Sequence, residues 1–446
     1  MKNYLEWSSA FSGRLEKDDC KTWQAKADTL GKRLAGELAA GELPFLSMPY
    51  RARLKTDMPK AIERMKNYRH MLLLGIGGSA LGARAIQRAF APGQDGPNYN
   101  GPWLWICDNV CAEQFEGLLG KLDPSETIVL CISKSGGTIE TLAQYFLARN
   151  WLHNSLGDAW KEQMIVVTDP EKGFLRQESA RKDLISLEAP DFLGGRYSAL
   201  SAVGLVPAAF LGIDWEGLLD GAASVAKPLV DNPASIASHP SFDLACWARG
   251  LEARDYSELV FFCYIPQWAA YGAWFAQLWA ESLGKDGRGM MPIPATGVTD
   301  QHSINQMFLD GPKNKGCLFL TGEQPDSSLS FGQDLPEQWA WLKGKAFSSL
   351  LEAEALGTRM ALCQSRMPLV QINMGSLDEK AAGSLMMLLE AATIFTGWLL
   401  EINPVDQPAV ELGKRLANSR LGAQGYPEEA RDLAAYLARP QDRQNF

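Results

Sequence analysis

Histidine is scarce in this sequence, and the cysteines are not paired. The chain has four histidines and eight cysteines in 446 residues, and no two cysteines form a C-x-x-C motif. Zinc cages need closely spaced histidine and cysteine ligands, so we expect no metal centre made by the protein alone. Scattered single cysteines are typical of buried thiols in a reducing compartment.

Basic stripes and long apolar runs are also missing. The net charge is -9, with acidic and basic residues interspersed, so no surface is expected to bind nucleic acid phosphates. The most apolar run, residues 199–213, contains Pro207 and is too short to span a bilayer. The opening MKNYLEWSSAFSGRLEKDD lacks the apolar core of a secretory signal. These features predict a cytoplasmic protein with neither nucleic acid nor membrane as a partner.

The sequence does contain a regular alternation of short apolar runs with helix-length amphipathic segments. Such alternation is typical of parallel sheets covered by helices on both faces, and the length favours two domains. The runs are MLLLG (71–75), WLWIC (103–107), TIVLCIS (127–133), MIVVT (164–168), DLISL (183–187), ELVFFCYI (258–265), GCLFLTG (316–322) and MPLVQIN (367–373). The fold class predicted is therefore α/β, with two mainly parallel sheets.

Domain boundaries follow from the gaps in this alternation. We predict an N-terminal helical segment over 1–48, α/β domains over 49–225 and 241–400, and a C-terminal helical segment over 401–446. AKPLVDNPASIASHP, residues 226–240, has three prolines and few hydrophobic anchors. It is interpreted as the connection between the two domains.

Two glycine-rich turns follow predicted strands. LLLGIGGSALG, at 72–82, satisfies the permissive dinucleotide fingerprint, and Asp108 after the next strand could serve as its acidic residue. CISKSGGTIE, at 131–140, places hydroxyls and Lys134 ahead of a helix whose free N–H groups favour an anion. A phosphate site and a serine-rich helix cap both fit this second turn. A dinucleotide site would leave it without a role.

Three side chains are candidates for acid–base or electrostatic roles. Glu281, in WFAQLWAESLGK, lies near a predicted helix C-terminus, where the helix dipole disfavours negative charge. It is either a general base or a solvated glutamate. His302, in GVTDQHSINQMF, can exchange protons near neutral pH, or it is a surface loop histidine. Arg196, in GGRYS, is expected either to enter a cleft or to bind a carboxylate or helix carbonyls.

The segment DQPAVELGKRLA predicts a helix that starts at Pro408. Gln407 and Lys414 would then lie on one face, about 10 Å apart along the helix axis. A plain exposed helix, with Glu411 and Arg415 at ion-pair spacing, is the alternative.

Six of these motifs, taken in order, resemble the glucose-6-phosphate isomerase family in its shorter bacterial type. They are GIGGSALG (75–82), SKSGGTIET (133–141), GGRYS (194–198), ESLGK (281–285), DQHS (300–303) and DQPAVELGK (406–414). The resemblance implies two sugar-isomerase (SIS) α/β domains. It also implies reversible conversion of glucose 6-phosphate and fructose 6-phosphate, in glycolysis and gluconeogenesis, through ring opening and a cis-enediol. Neither a metal nor a redox cofactor is implied.

The resemblance also implies a role for each matched residue. Glu281 would be the base that moves a proton between carbon 2 and carbon 1, and Arg196 would stabilise the intermediate's negative charge. His302 and Lys414 would be the ring-opening groups. The remaining substrate contacts would be Gly78, Ser79, Ser133, Lys134, Ser135, Thr138 and Gln407. A homodimer is implied, with His302 lent by the neighbouring subunit.

Some features depart from the family or stay unassigned. Ser135 stands where many relatives carry threonine, and Gly136 and Gly137 replace bulkier residues of longer members. Residues 323–345 match no motif. A nicotinamide oxidoreductase and a noncatalytic sugar-phosphate sensor remain open as other function classes.

Overall fold

Two five-stranded sheets organise the chain in the computed structural model, which describes residues 2–190, 193–323, 328–440 and 442–444. The strands are β1 Tyr4–Glu6, β2 His70–Leu74, β3 Trp103–Cys107, β4 Thr127–Ser133, β5 Met164–Thr168, β6 Ile185–Glu188, β7 Glu258–Cys263, β8 Met291–Thr296, β9 Lys315–Gly322 and β10 Leu369–Met374.

Helices surround both sheets. They are α1 Lys17–Gln24, α2 Ala27–Ala40, α3 Pro44–Ser47, α4 Ala52–Met65, α5 Leu81–Phe90, α6 Ala112–Lys121, α7 Ile139–Leu156, α8 Phe174–Lys182, α9 Ala202–Phe210, α10 Trp215–Asp231, α11 Pro240–Ala253, α12 Tyr271–Leu283, α13 Asn305–Leu309, α14 Phe347–Gln364, α15 Glu379–Leu399, α16 Glu411–Arg420 and α17 Pro427–Leu437.

The first sheet is parallel throughout, in the order β3-β2-β4-β5-β6. Every residue of β4 is buried, as expected for a strand covered on both faces. The predictions for β3, β4 and β5 are confirmed residue for residue. β6 begins at Ile185 rather than at Asp183, because Asp183 adopts a left-handed conformation that ends α8.

The second sheet has the order β1-β10-β9-β7-β8 and is parallel except for β1. Two of its strands correct the sequence predictions. β1 lies in the segment 1–48, which was expected to be helical, and is held there by antiparallel pairing with the distant β10. β8 was missed because Pro292 and Pro294 break the strand pattern. As an edge strand it tolerates prolines whose missing N–H groups are not needed for pairing.

The segment 226–240 is largely helical, and its interpretation as the connection between two domains stays a prediction. It contains the end of α10, a 3₁₀ turn at Pro233–Ser238 and the start of α11. Pro233 and Pro240 occupy first helical turns, where the absence of an N–H group costs nothing. Residues Met1–Pro404 form one compact unit, so the boundaries proposed between two domains stay predictions.

The second compact unit, Val405–Phe446, contains α16 and α17. Arg415 of α16 forms an ion pair with Glu429 of α17. Glu411 pairs with Lys414 at 2.8 Å, rather than with Arg415 as the sequence spacing suggested.

Helix α15 is almost entirely buried. Among the described residues it is the one helix long and apolar enough to cross a membrane. However, 94% of its apolar stretch is buried inside the protein. It therefore serves as a core helix. It crosses α10 so closely that a methyl group on Gly221 would collide with the carbonyl of Lys380, and one on Gly383 with that of Leu218.

This crossing predicts a large effect of a small substitution. Gly221→Ala should lower the free energy of unfolding by about 1–3 kcal/mol, because α10 and α15 must separate to admit the methyl group. The control is Gly117→Ala in α6, where the added carbon meets nothing within 4 Å. It should stabilise the protein by about 0.5–1 kcal/mol. Urea unfolding midpoints measure both; equal midpoints for Gly221→Ala and wild type would contradict the crossing.

Candidate active site

Glu281 and Arg196 are in direct contact. Glu281 lies in the last turn of α12, and Arg196 lies in a 3₁₀ turn at Gly195–Tyr197. Arg196 Nη1 donates to Glu281 Oε1 at 2.9 Å. The Arg196 side chain is fully buried, whereas 25% of the Glu281 side chain is exposed. The Glu281 carboxylate is thus bound by a buried cation and is still partly exposed to solvent.

Two further hydrogen bonds fix the Arg196 guanidinium, and a third contact fixes one of its partners. Its Nε donates to Ser282 Oγ at 2.7 Å, and its Nη2 donates to the Pro404 carbonyl at 2.8 Å. The Tyr197 hydroxyl lies 2.9 Å from the same Ser282 oxygen. Burial raises the pKa of Tyr197 to about 12, so this hydroxyl is neutral. Arg196 thus binds a carboxylate and a backbone carbonyl, which is the second option of the sequence analysis, and its entry into a ligand cleft stays a prediction.

Gln277 holds the other oxygen of Glu281. Its Nε2 donates to Glu281 Oε2 at 2.9 Å from one helical turn earlier on α12. Sequence reasoning missed Gln277, although its i, i+4 spacing from the candidate base places it on the same helix face. Ser282 and Tyr197 were also missed. Each adjoins a candidate residue in the chain, but only the fold reveals that they meet.

The first glycine-rich turn packs on the backbone of Arg196. Gly78 lies in the 3₁₀ turn Gly77–Ser79, where a methyl group would collide with the carbonyl of Gly195. Gly78 and Ser79 are therefore beside the Glu281–Arg196 pair. Asp108, the acidic residue of the dinucleotide interpretation, instead accepts from Arg84 Nη2 at 2.7 Å.

The second glycine-rich turn gathers three hydroxyl groups. Thr138 Oγ1 lies 3.0 Å from Ser133 Oγ and 3.4 Å from Ser135 Oγ. Gly136 has φ +62°, which lets the chain turn back toward α7. The Lys134 carbonyl accepts from the Asp169 N–H at 3.1 Å, which ties the turn to the end of β5. Thr138 is the N-cap residue of α7, so the first-turn N–H groups of α7 lie beside these hydroxyls.

Both turns leave the same edge of the first sheet. β2 and β4 are parallel neighbours, and Leu74, the last residue of β2, pairs with Cys131, two residues before the end of β4. A Cβ atom on Gly75 would lie 3.4 Å from the Ile132 carbonyl. The hydroxyl-rich turn and the Gly78 turn therefore lie side by side. The Gly78 turn also contacts Arg196. Such edges of parallel sheets are where ligands bind in α/β proteins.

His302 and Glu281 belong to different elements. His302 ends a 3₁₀ turn at Thr299–His302 that follows β8, and its side chain is exposed. Within the described residues its imidazole makes no hydrogen bond and no contact with Glu281. Asp300 anchors the turn, because its Oδ2 accepts from the Thr296 N–H at 2.7 Å. Gln301 ties the turn to α14 through Thr358.

Gln407 and Lys414 belong to the Val405–Phe446 unit, so their participation in a site with Glu281 stays a prediction. Gln407 precedes a 3₁₀ turn at Pro408–Val410, and α16 begins only at Glu411. The two residues are thus not on one continuous α-helix, which corrects the expected spacing along one helix face.

The unassigned segment 323–345 is described except for residues 324–327. It forms an isolated bridge from Ser330 to Ala346 and a 3₁₀ turn at Glu337–Leu342. Trp339 and Trp341 in that turn are 45% and 57% exposed. Large exposed apolar side chains at this density are typical of a contact surface.

Comparisons with known proteins agree on one family. Residues 60–334 match the family described as phosphoglucose isomerase. A glucose-6-phosphate isomerase from Rubrobacter xylanophilus is 40% identical over 363 residues, which cover 79% of this chain and 82% of the relative. Another, from Carboxydothermus hydrogenoformans, is 33% identical over 98% of both chains.

Solved structures share the fold. A hypothetical protein from Thermus thermophilus superposes with a TM-score of 0.85 at 32% identity, covering 94% of this chain and all of that one. A glucose-6-phosphate isomerase from Chlamydia trachomatis has a TM-score of 0.78 at 21% identity. The superposition covers 97% of this chain and 91% of the Chlamydia trachomatis chain.

Proposed function

The chain belongs to the phosphoglucose isomerase family and interconverts glucose 6-phosphate and fructose 6-phosphate, and we propose that Glu281 is the base that moves the proton. The observation that carries this assignment is the partly exposed Glu281 carboxylate, held at 2.9 Å by a fully buried arginine. Isomerisation moves a carbonyl from carbon 1 to carbon 2, which requires one group to remove and return a weakly acidic proton.

The proposed proton transfer uses one carboxylate twice. Glu281 takes the proton from carbon 2 of the open-chain aldose, and the electron pair left behind forms a cis-enediolate with its negative charge on oxygen 1. The hydroxyl proton of oxygen 2 passes to oxygen 1, the same carboxyl group returns its proton to carbon 1, and the ketose carbonyl forms at carbon 2. Arg196 and Gln277 fix both carboxylate oxygens, so the base is positioned before the substrate arrives. The buried Arg196 charge stabilises the negative charge that develops on the sugar oxygens.

The phosphate binds, in this proposal, at the hydroxyl-rich turn. Ser133, Ser135 and Thr138 supply hydroxyl donors, Lys134 supplies a positive charge, and the N-terminus of α7 supplies free N–H groups. Gly78 and Ser79 contact the sugar from the adjoining turn. Binding energy gained at the phosphate orients the reacting carbons beside Glu281.

Ring opening is assigned to His302 and Lys414, with Gln407 as a substrate contact. The roles of these three residues are assigned from the motif match alone. The cytoplasm is the proposed location, and it is supported by the eight cysteines, all of which are free.

A homodimer in which His302 enters the partner's site is supported by the surface around this residue. Ile304 and Met307, which follow His302, are 37% and 54% exposed. Met360 of the adjoining α14 is 58% exposed, and the exposed Trp339 and Trp341 belong to the segment that leads into α14. An apolar surface that carries a histidine without a hydrogen-bond partner among the described residues fits a subunit interface.

Glu281→Gln should lower kcat by about 10²–10⁴-fold, because an amide cannot accept the proton. KM should change little, because the phosphate contacts are intact. A coupled assay that detects glucose 6-phosphate formed from fructose 6-phosphate measures both. Glu113→Gln, on the exposed face of α6, is the matched control and should behave as wild type. Normal turnover by Glu281→Gln would remove this residue from the proposed role.

Lys134→Ala should raise KM by about 10–100-fold, since a charge-assisted contact with the phosphate is lost. Inhibition by inorganic phosphate should weaken by a similar factor. Lys121→Ala, at the exposed end of α6, provides the control for loss of a lysine. An unchanged KM would show that Lys134 does not bind the phosphate.

Mixed subunits test the shared histidine. His302→Ala and Glu281→Gln should each be nearly inactive alone. After dissociation and random reassociation, half of the dimers are mixed, and one of their two sites has both native residues. About a quarter of wild-type activity should therefore return. If the mixture stays inactive while mixed dimers are detected by mass, His302 acts within its own chain.

A further inference from the structure

A cavity of about 570 Å³ lies at the amino ends of β7, β9 and β10, and its lining includes no residue of the Glu281 site. The lining residues directly precede these strands, in the segments 255–256, 312–315 and 365–367, and Arg14 joins them from the N-terminal segment. The volume falls within the range of about 300–1,000 Å³ typical of small-molecule sites.

The charges that line this cavity favour an anion. Arg14, Lys313 and Arg366 line it together with one carboxylate, Asp255, which leaves a net charge of about +2. A fourth cation, Lys315, is already matched by Glu258 at 3.1 Å. Such a local excess of positive charge is notable in a chain whose net charge is -9. This net charge of about +2 would balance the charge of about −2 on a phosphate monoester near neutral pH.

The two arginines differ in how they are held. The Arg14 Nη2 donates to the carbonyls of Asp255 and Lys313 at 3.1 and 3.3 Å, and its guanidinium lies 4.8 Å from the centre of the Tyr256 ring. The Arg366 side chain makes no hydrogen bond or ion pair within the described residues. One arginine is therefore fixed at the cavity, and the other is available to a ligand. Arginine donors match phosphate oxygens in pairs.

The remaining walls are apolar. Tyr256, Phe308 and Met367 are all at least 94% buried and face the cavity together with Pro312. Apolar and aromatic walls with a few placed charges are what small-molecule sites present to a planar ligand body. A bare inorganic anion would leave these walls without a partner.

We propose that this cavity is a second site, which binds a phosphate-bearing aromatic molecule of mononucleotide size. The phosphate lies against Arg366, Arg14 and Lys313, and the planar part lies on Phe308 and Met367. Phe308 belongs to α13, which begins three residues after His302. A ligand in the cavity thus contacts the helix that adjoins the histidine turn, and its binding changes turnover.

Titration calorimetry with AMP tests the site. The protein is first saturated with the equilibrium mixture of the two sugar phosphates, which fills the Glu281 site and produces no net heat of reaction. We expect saturable binding of about one AMP per chain, with adenosine and inorganic phosphate each at least about tenfold weaker. The absence of saturable AMP binding to the protein saturated with sugar phosphates would overturn the second site. This holds even if AMP binds when the sugar phosphates are omitted.

Arg366→Asn is the informative variant. Arg366 has φ +63°, a conformation that asparagine tolerates well, so the backbone should be undisturbed. AMP affinity should fall at least about tenfold, while kcat and KM without AMP stay at wild-type values. Arg420→Asn, on the exposed face of α16, removes the same charge elsewhere and should bind AMP normally. Unchanged AMP affinity of Arg366→Asn would overturn the assignment.

Steady-state kinetics with saturating AMP test the link to the histidine turn. We expect kcat to change at least about twofold, with KM unchanged. An unchanged kcat would overturn the link to His302. A rise in KM alone would place AMP in the Glu281 site and overturn the second site.

Discussion

The Arg196–Glu281 ion pair is the interaction on which the rest of the site depends. Burying a guanidinium is costly unless its donors are all engaged. Here the acceptors come from Glu281, Ser282 and Pro404, which lie 85 to 208 residues away in the chain. Only a fold that brings both sheets and the chain near Pro404 together satisfies the charge. The arrangement that stabilises Arg196 is therefore the same one that aims the carboxylate.

The two halves of the proposed chemistry have different structural supports. The hydroxyl-rich turn is fixed by local geometry, since Gly136 and the N-cap of α7 shape it within one loop. The proposed base, Glu281, is fixed by Gln277 of its own helix and by the tertiary contact with Arg196, whose backbone packs on the Gly78 turn. The parallel pairing of β2 with β4 joins these parts at one edge. In the proposed function, a phosphate held at this turn would place a flexible open-chain sugar beside Glu281 on another element.

Sequence patterns predicted the parts of the fold whose signal is local. β3, β4 and β5 are continuous apolar runs, so their bounds could be read directly. β1 could not be predicted, because three residues acquire their structure only by pairing with β10. The prolines in β8 and near the start of α11 were read as loop signals, yet edge strands and first helical turns accept them. The motifs identified Glu281 and Arg196, but their mutual contact and the role of Gln277 required the fold.

The pairing of β1 with β10 sets an order on the formation of the second sheet. Tyr4 faces Asn373, so these partners leave the ribosome roughly 20–70 s apart at ordinary elongation rates. Throughout that interval the short leading strand has no sheet to join. Once β10 has left the ribosome, its outer edge can pair with another nascent chain until β1 of the same chain pairs with it. Pairing with β1 covers this edge of β10 in the folded chain.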